Sequence, residues 1–325
     1  MTDRVLSVRH LLGIDGLTRA DAELILETAR SFHEVNTRAL KKVPVLRGRT
    51  VALLFFENST RTRLSFELAA KRLSADTLSF SASGSSVQKG ETLIDTARNI
   101  EAMGPDLVVM RHEQSGAHQL LLRAMSGAVI NAGDGQHEHP TQALLDAFTL
   151  LERFGRAPRD GLQGKTIAIV GDIAHSRVAR SNMLLLPMLG AKVRVCGPRT
   201  MLPVGLEEYG VEGCGVEATD DVDAALEGVD AVMTLRIQKE RISGARMASD
   251  RDYFHRFGLT KERFARLPER ALVMHPGPIN RGVEIDHDVA DHPRAVILEQ
   301  AENGVAVRMA VLYLLAVVHA KAERA

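Results

Sequence analysis

Two rhythms of apolar residues alternate along the chain. A helical one comes first, an amphipathic stretch over roughly Thr18 to Ala39. Short apolar runs then alternate with helical patterns: Val51 to Phe56, Asp106 to Met110, Ala128 to Asn131, Thr166 to Val170, Lys192 to Val195, Ala231 to Thr234 and Ala271 to Met274. An apolar run without polar alternation marks a strand buried on both faces. Strands separated by helical stretches pair in parallel, since the crossover helix carries the chain back to the same edge before each new strand. The pattern predicts an α/β fold of two similar domains, each a parallel sheet flanked by helices, the two joined by long helices. Gly155 to Gly164, rich in Gly, Arg, Asp and Pro, divides the earlier strands from the later ones and reads as a joint. A helix from Pro140 to Phe154 precedes it and bridges the domains. A last helix starts near Glu299 and can pack on either half. No internal repeat or low-complexity tract interrupts the alternation.

At 325 residues, 45% hydrophobic and 25% charged, the chain has the make-up of a soluble globular protein long enough for two domains. Its 41 basic residues balance 41 acidic ones, which argues against a nucleic-acid or anionic-membrane partner, so any basic site is local. Cys196 and Cys214 are the only cysteines. With no CxxC and no Cys/His cluster they point to a reducing compartment, the cytoplasm, and against a structural zinc. The first residues lack the basic-then-apolar order of an export signal. The longest apolar runs, near Met183 to Leu189 and Met309 to Val318, fall short of the ~20 residues that cross a bilayer and read as core helices.

The segment with the most chemistry is Phe55-Phe56-Glu57-Asn58-Ser59-Thr60-Arg61-Thr62-Arg63-Leu64-Ser65-Phe66-Glu67. It joins the first apolar strand to a helix whose Phe66, Ala69, Ala70 and Leu73 share one face. The polar turn between them sits at a helix N-terminus, where free N–H groups and the helix dipole favour an anion. Ser59, Thr60 and Thr62 add hydroxyl donors there, and Arg61 adds a planar fork. The combination describes a phosphate cradle built without a glycine-rich loop; the bland alternative is a capped surface helix with solvated arginines.

This thirteen-residue run resembles the carbamoyl-phosphate motif of the aspartate and ornithine carbamoyltransferases. Further motifs of that family follow in order over nearly the whole chain. Arg111 and His112 come directly after the strand ending at Met110. His139-Pro140-Thr141-Gln142 opens the bridging helix at the carboxyl end of another strand, the usual ligand crevice of α/β sheets. A lone histidine is more often structural, but here Pro140 suits a first helical turn and Gln142 can both donate and accept. His137-Glu138-His139 lacks the spacing of a helical zinc site, so no metal and no cofactor are expected. Ser81 to Gly90, with four serines, reads as a loop. Its Lys89-Gly90-Glu91-Thr92 resembles the family loop that crosses into a neighbouring subunit's site, with Gln88 where the family often has a second lysine. In the second half, Ile167 to Asp172 followed by Ser176-Arg177 reads as strand, turn and helix start without the GxGxxG of a dinucleotide site. Arg236-Ile237-Gln238-Lys239-Glu240-Arg241 and the turn His275-Pro276-Gly277-Pro278 each follow a strand. Asp286 to Asp291 fails the spacing of a calcium loop.

The resemblance implies a division of labour. Ser59, Thr60, Arg61 and Thr62 hold the phosphate of carbamoyl phosphate, joined by Ser85 and Lys89 from a neighbouring subunit. Thr62, Arg111 and His139 meet the carbonyl oxygen, with Gln142 and the backbone around Pro276, Gly277 and Pro278 completing the carbamoyl site. Arg177, Arg236, Gln238 and Lys89 bind aspartate, while Glu57 pairs with Arg177 and Arg241 to hold the closed form. The ornithine enzymes' serine-methionine-glycine signature and cysteine loop are missing, and paired guanidiniums suit a dicarboxylate; both favour aspartate as acceptor, in an early committed step of pyrimidine synthesis. The resemblance further implies a homotrimer with shared sites and domains of residues 1–145 plus 300–325 for carbamoyl phosphate and 146–299 for aspartate. It admits a regulatory chain or a dihydroorotase as partner, neither of which has a readable motif here. Two other readings compete: transfer to a different amine, opposed by Arg236 and Gln238, and a catalytically dead scaffold subunit, opposed by the intact motif positions. A nucleotide-dependent dehydrogenase fails for want of the glycine fingerprint.

Overall fold

The computed structural model describes residues 4–81, 90–206, 210–211, 214–238 and 249–322, and the chain divides into two compact units. The first contains the residues up to Phe148, Ala157–Arg159 and the C-terminal stretch from Ala301; the second contains Thr149–Arg156 and Asp160–Gln300.

The first unit opens with helix α1, Arg19–Asn36, whose start is fixed by a reciprocal capping box. The Asp21 N–H donates to the Thr18 hydroxyl at 3.1 Å while the Thr18 N–H donates to the Asp21 carboxylate at 3.0 Å, satisfying two amides that no helical carbonyl can reach. Strand β1 (Thr50–Phe55) leads into α2 (Thr60–Arg72), followed by β2 (Asp76–Ser81), α3 (Leu93–Glu101), β3 (Leu107–His112), α4 (Ala117–Leu121), β4 (Ala128–Asp134) and α5 (Pro140–Arg153). The strands form a parallel sheet in the order β2-β1-β3-β4. Val51, Ala52, Leu53, Leu54 and Phe55 are all buried, which is the physical content of their uninterrupted apolar run. Ala52, Leu54, Val108, Met110 and Val129 share one core cluster with Ala97, Ala117 and Leu121 of the crossover helices. Each fully buried Val or Leu there contributes about 1.5–3 kcal/mol over its exposed state.

The second unit runs β5 (Thr166–Val170), α6 (Arg177–Met188), β6 (Lys192–Cys196), β7 (Gly210–Val211), β8 (Cys214–Thr219), α7 (Val222–Leu226), β9 (Ala231–Thr234), α8 (Asp250–Phe257), α9 (Lys261–Arg266), β10 (Leu272–Met274) and α10 (His287–Ala290). Its sheet has the order β10-β9-β5-β6-β8-β7, parallel except for the antiparallel pair of β7 and β8. An antiparallel edge strand on a parallel sheet is common, and at two residues β7 leaves no periodicity to read. The last helix, α11 (Ile297–Ala322), starts in the second unit and continues in the first. Its apolar character extends beyond the run at Met309 to Val318: the span Ile297–Lys321 is long and apolar enough to cross a membrane on length and composition. However, 72% of its most apolar window is buried inside the protein; Val305 to Leu312 pack as core.

The α/β class, with two helix-flanked parallel sheets, is as the apolar pattern predicts. Besides β7 and β8, which lie outside the seven apolar runs, two strand positions differ. β2 lies outside the seven apolar runs because Thr77, Leu78, Ser79 and Phe80 alternate in polarity, as suits a sheet edge. Arg111 and His112 belong to β3 rather than following it, with a register shift between Met110 and His112.

Candidate active site

Each sheet gathers the singled-out residues at the carboxyl ends of neighbouring strands, where parallel sheets bind ligands. In the first unit the central β1 feeds the turn at Phe56 to Ser59, and the chain enters α2 through Ser59, in extended conformation with φ −157° and ψ 99°. The Ser59 side chain makes no capping hydrogen bond, so its hydroxyl and the first helical amides remain available to an anion. Thr60 and Arg61 are exposed, whereas Thr62 is buried.

Phe55 pairs with Arg111 in the β1–β3 register, which puts Arg111 beside the turn. The carbonyl of Arg111 accepts the Phe56 N–H at 2.9 Å. Its guanidinium is buried and doubly anchored: one amino group donates to the Ala132 carbonyl at 3.1 Å and the other to Glu57 Oε1 at 2.8 Å. The β3–β4 register shifts between Met110 and His112, on either side of Arg111. Next to it, burial first, and then the nearby His118, hold the His112 imidazole below its ordinary value, so it is neutral at pH 7.

The loop after β4 places His139 and Gln142. Asn131 is its hub: the side-chain amide donates to the carbonyls of Leu12 at 2.6 Å and Glu138 at 3.3 Å, while its oxygen accepts the Gly133 N–H at 2.7 Å. Glu138 accepts the Ile14 N–H at 2.7 Å. Burial pushes the Asp134 carboxyl upward, but hydrogen bonds from His118, His137 and the Gly116 N–H outweigh it and hold the group well below the usual carboxylate range. His139 and Gln142 are both buried. Pro140 occupies the first position of α5, and the Gln142 amide donates to Asp146 Oδ1 at 2.9 Å. Donors for an anion and for a carbonyl oxygen thus emerge from β1, β3 and β4, three adjacent strands of one sheet.

In the second unit the strands β10, β9 and β5 are likewise adjacent. β5 is followed by Gly171, whose φ of +145° and 2.8 Å approach of a would-be Cβ to Leu235 require glycine. Ser176 caps α6 by accepting the Ala179 N–H at 3.1 Å, leaving Arg177 as the first helical residue, buried. β9 is followed by Arg236 and Gln238, joined to each other at 3.2 Å. Beyond β10, His275 fixes the turn in a single arrangement. Its backbone N–H donates to Gln300 Oε1 at 3.0 Å, its Nδ1 accepts the Gly277 N–H at 2.7 Å, and Nε2 therefore carries the proton that meets Glu284 Oε1 at 3.0 Å. Gly277 takes φ +66° before a cis bond to Pro278.

The first edge thus holds Ser59, Thr60, Arg61, Thr62, Arg111, His139 and Gln142, and the second holds Arg177, Arg236, Gln238 and Pro276 to Pro278. Ser85, Lys89 and Arg241 lie outside the described residues. Glu57 is held by Arg111 within the first unit, an ion pair that the sequence did not suggest. Asn131, Asp146, Glu284 and Gln300 were also missed; the first three could have been signalled by their nearness to a motif, whereas Gln300 lies 25 positions from the His275 it serves.

Residues 9–152 match the family model described as aspartate/ornithine carbamoyltransferase, carbamoyl-P binding domain, and residues 163–315 that described as aspartate/ornithine carbamoyltransferase, Asp/Orn binding domain. An aspartate carbamoyltransferase catalytic subunit from Nocardioides sp. is 57% identical over 309 residues, 94% of either chain. Among solved structures, the catalytic subunit of aspartate transcarbamoylase from M. jannaschii superposes with a TM-score of 0.82 at 33% identity, covering 95% of this chain and 98% of its own. The aspartate transcarbamoylase of Trypanosoma cruzi in complex with N-(phosphonacetyl)-L-aspartic acid gives 0.84 at 32%, covering 94% of each. A chain matched in both halves by these models, and over nearly its whole length by such relatives, belongs to the aspartate/ornithine carbamoyltransferase family.

Proposed function

We propose that this chain is a catalytic chain that transfers the carbamoyl group of carbamoyl phosphate to the amine of L-aspartate, giving N-carbamoyl-L-aspartate and phosphate in pyrimidine synthesis. The observation that carries the proposal is the meeting, at one sheet edge, of the hydroxyl-bearing N-terminus of α2 with Arg111 and the His139–Gln142 start of α5. That the relatives are named aspartate carbamoyltransferases supports aspartate as the acceptor, and the paired guanidiniums of Arg177 and Arg236 suit its two carboxylates.

Carbamoyl phosphate binds first, its phosphate on Ser59, Thr60, Arg61 and Thr62. Aspartate follows, on Arg177, Arg236 and Gln238, and its neutral amine attacks the carbamoyl carbon. Charge then grows on the carbonyl oxygen, where Thr62, Arg111 and His139 donate; losing one such donor costs about 10²- to 10³-fold in rate. Collapse expels phosphate. That group is itself basic enough to take the amine proton, and no side chain is assigned as general base. Residues 1–145 with 300–325 form the carbamoyl-phosphate domain and 146–299 the aspartate domain. Ser85 and Lys89 act from a neighbouring chain of a homotrimer, and Glu57 with Arg241 serves domain closure. Two cysteines without a CxxC motif support a cytoplasmic setting.

The test is carbamoylaspartate formation by purified protein from carbamoyl phosphate with aspartate, beside ornithine and a no-amine control, in wild type and Arg61→Ala. Aspartate-dependent product lost in the variant is expected. No product from a folded oligomer would favour the scaffold alternative.

A further inference from the structure

The most deeply buried arginine or lysine among the described residues of the first unit has no part in the chemistry above. Arg308, on α11, is 3% exposed. One guanidinium nitrogen donates to the hydroxyl of Ser65 on α2 at 2.8 Å, and the group lies 5.1 Å from the Phe66 ring centre. One turn earlier, Gly304 leaves room for it: a Cβ there would stand 2.5 Å from Arg308 Nη1 and 3.1 Å from Leu145 of α5. Burial lowers the guanidinium pKa to about 10, and the charge of Asp146 on α5 opposes that fall, so Arg308 is a cation at neutral pH. Asp146 is fully buried and accepts from Gln142 one turn closer to the helix start.

A buried charge is a poor way to stabilise a core, because its desolvation commonly exceeds the Coulombic return. Its neighbours give it a different use. Ser65 and Phe66 belong to the helix whose first turn carries Ser59 to Thr62, and Asp146 to the helix that begins after His139. We propose that Arg308 is a positioning residue for carbamoyl-phosphate recognition: one guanidinium holds α2 through Ser65 and α5 through Asp146, setting the distance between the phosphate cradle and the His139–Gln142 pair. The inference rests on the carbamoyl-phosphate reading of that sheet edge. Placement matters because an error near 1 Å in a reacting geometry can cost about 100-fold.

Arg308→Met and Arg308→Lys are to be compared with wild type by steady-state kinetics, calorimetric titration with inorganic phosphate, and melting. In a folded Arg308→Met, the KM for carbamoyl phosphate and the Kd for phosphate should each rise about tenfold, with the KM for aspartate at saturating carbamoyl phosphate within about twofold. Lysine, which keeps the charge without the fork, should recover part of the loss. Wild-type values in Arg308→Met overturn the inference, as does a uniform loss of activity and melting temperature with both KM values unmoved. If Arg308→Met does not fold, Ser65→Ala and Asp146→Asn each cut one branch. A weaker phosphate Kd in either supports the inference, and native Kd and KM in both overturn it. A wild-type protein that binds phosphate yet forms no carbamoylaspartate sinks the functional reading instead, and the phosphate titrations alone then decide the role of Arg308.

Discussion

Glu57 is where sequence and structure assign different work to one side chain. The family resemblance reserves it for domain closure; the structure engages it with Arg111 at 2.8 Å, inside the first unit. Charge-assisted pairs of this kind are worth more than neutral ones and orient the guanidinium. If Arg111 meets the carbonyl oxygen, Glu57→Gln should disturb carbamoyl phosphate as well as aspartate, raising the KM for carbamoyl phosphate about tenfold. Initial-rate kinetics with each substrate varied would show it; a change confined to aspartate would leave Glu57 to closure alone. Motif residues were legible because their chemistry is written in type and order: hydroxyls and arginine at a helix start, histidine before proline. Their partners were not. That Ala132 supplies a carbonyl to Arg111, or that Gln300 receives the His275 N–H from 25 positions away, depends on strand register and loop closure that no local pattern encodes.

Among the elements, α1 shows what local physics settles. Its start is fixed by the reciprocal bonds of Thr18 and Asp21, and Asp21 also accepts from the Ser7 backbone and hydroxyl at 2.8 and 2.6 Å. Burial pushes the Asp21 carboxyl up, yet these bonds outweigh it and its pKa falls below the ordinary value. The sign follows: a depressed folded pKa gives stability that is present above the unfolded carboxylate pKa near 4 and is lost as pH falls through the folded one. Thr18→Ala should therefore cost about 1 kcal/mol, or about 2–4 °C in melting temperature. Differential scanning calorimetry checks this, and an unchanged melting temperature would mean that the cap adds nothing in its tertiary setting. The buried strands were readable for a similar reason, each being apolar on both faces. β2 and β8 were not, because neither is an uninterrupted apolar run: β2, at a sheet edge, alternates in polarity, and β8, next to the two-residue edge strand β7, carries Glu217 and Thr219 among its apolar residues. The far end of α1 shows the limit of pattern: it stops at Asn36 rather than Ala39, with Thr37 turning its hydroxyl back to the Glu34 carbonyl at 2.8 Å.

For the molecule as a whole, the division into two units was legible in the Gly/Pro-rich joint, while assembly is a proposal that only subunit mixing can address. If Lys89 completes a neighbour's site, inactive Arg61→Ala and Lys89→Ala chains, dissociated and reassembled together, should regain a fraction of wild-type activity through hybrid sites. Failure in mixtures proven to exchange would mean that each chain works alone.

The path of α11 bears on how the protein is made. The residues of the first unit are not contiguous: its core includes Val305 to Leu312, which come after the whole of the second unit in the sequence. A ribosome adding about 5–20 residues per second needs on the order of ten seconds to pass from Phe148 to Ala301. Throughout that interval the first unit lacks α11, whose Arg308 donates to Ser65 of α2, while residues Asp160 to Gln300 of the second unit emerge without a break. The anion cradle at the start of α2, although translated early, therefore gains its contact with α11 only after the whole of the second unit has been made.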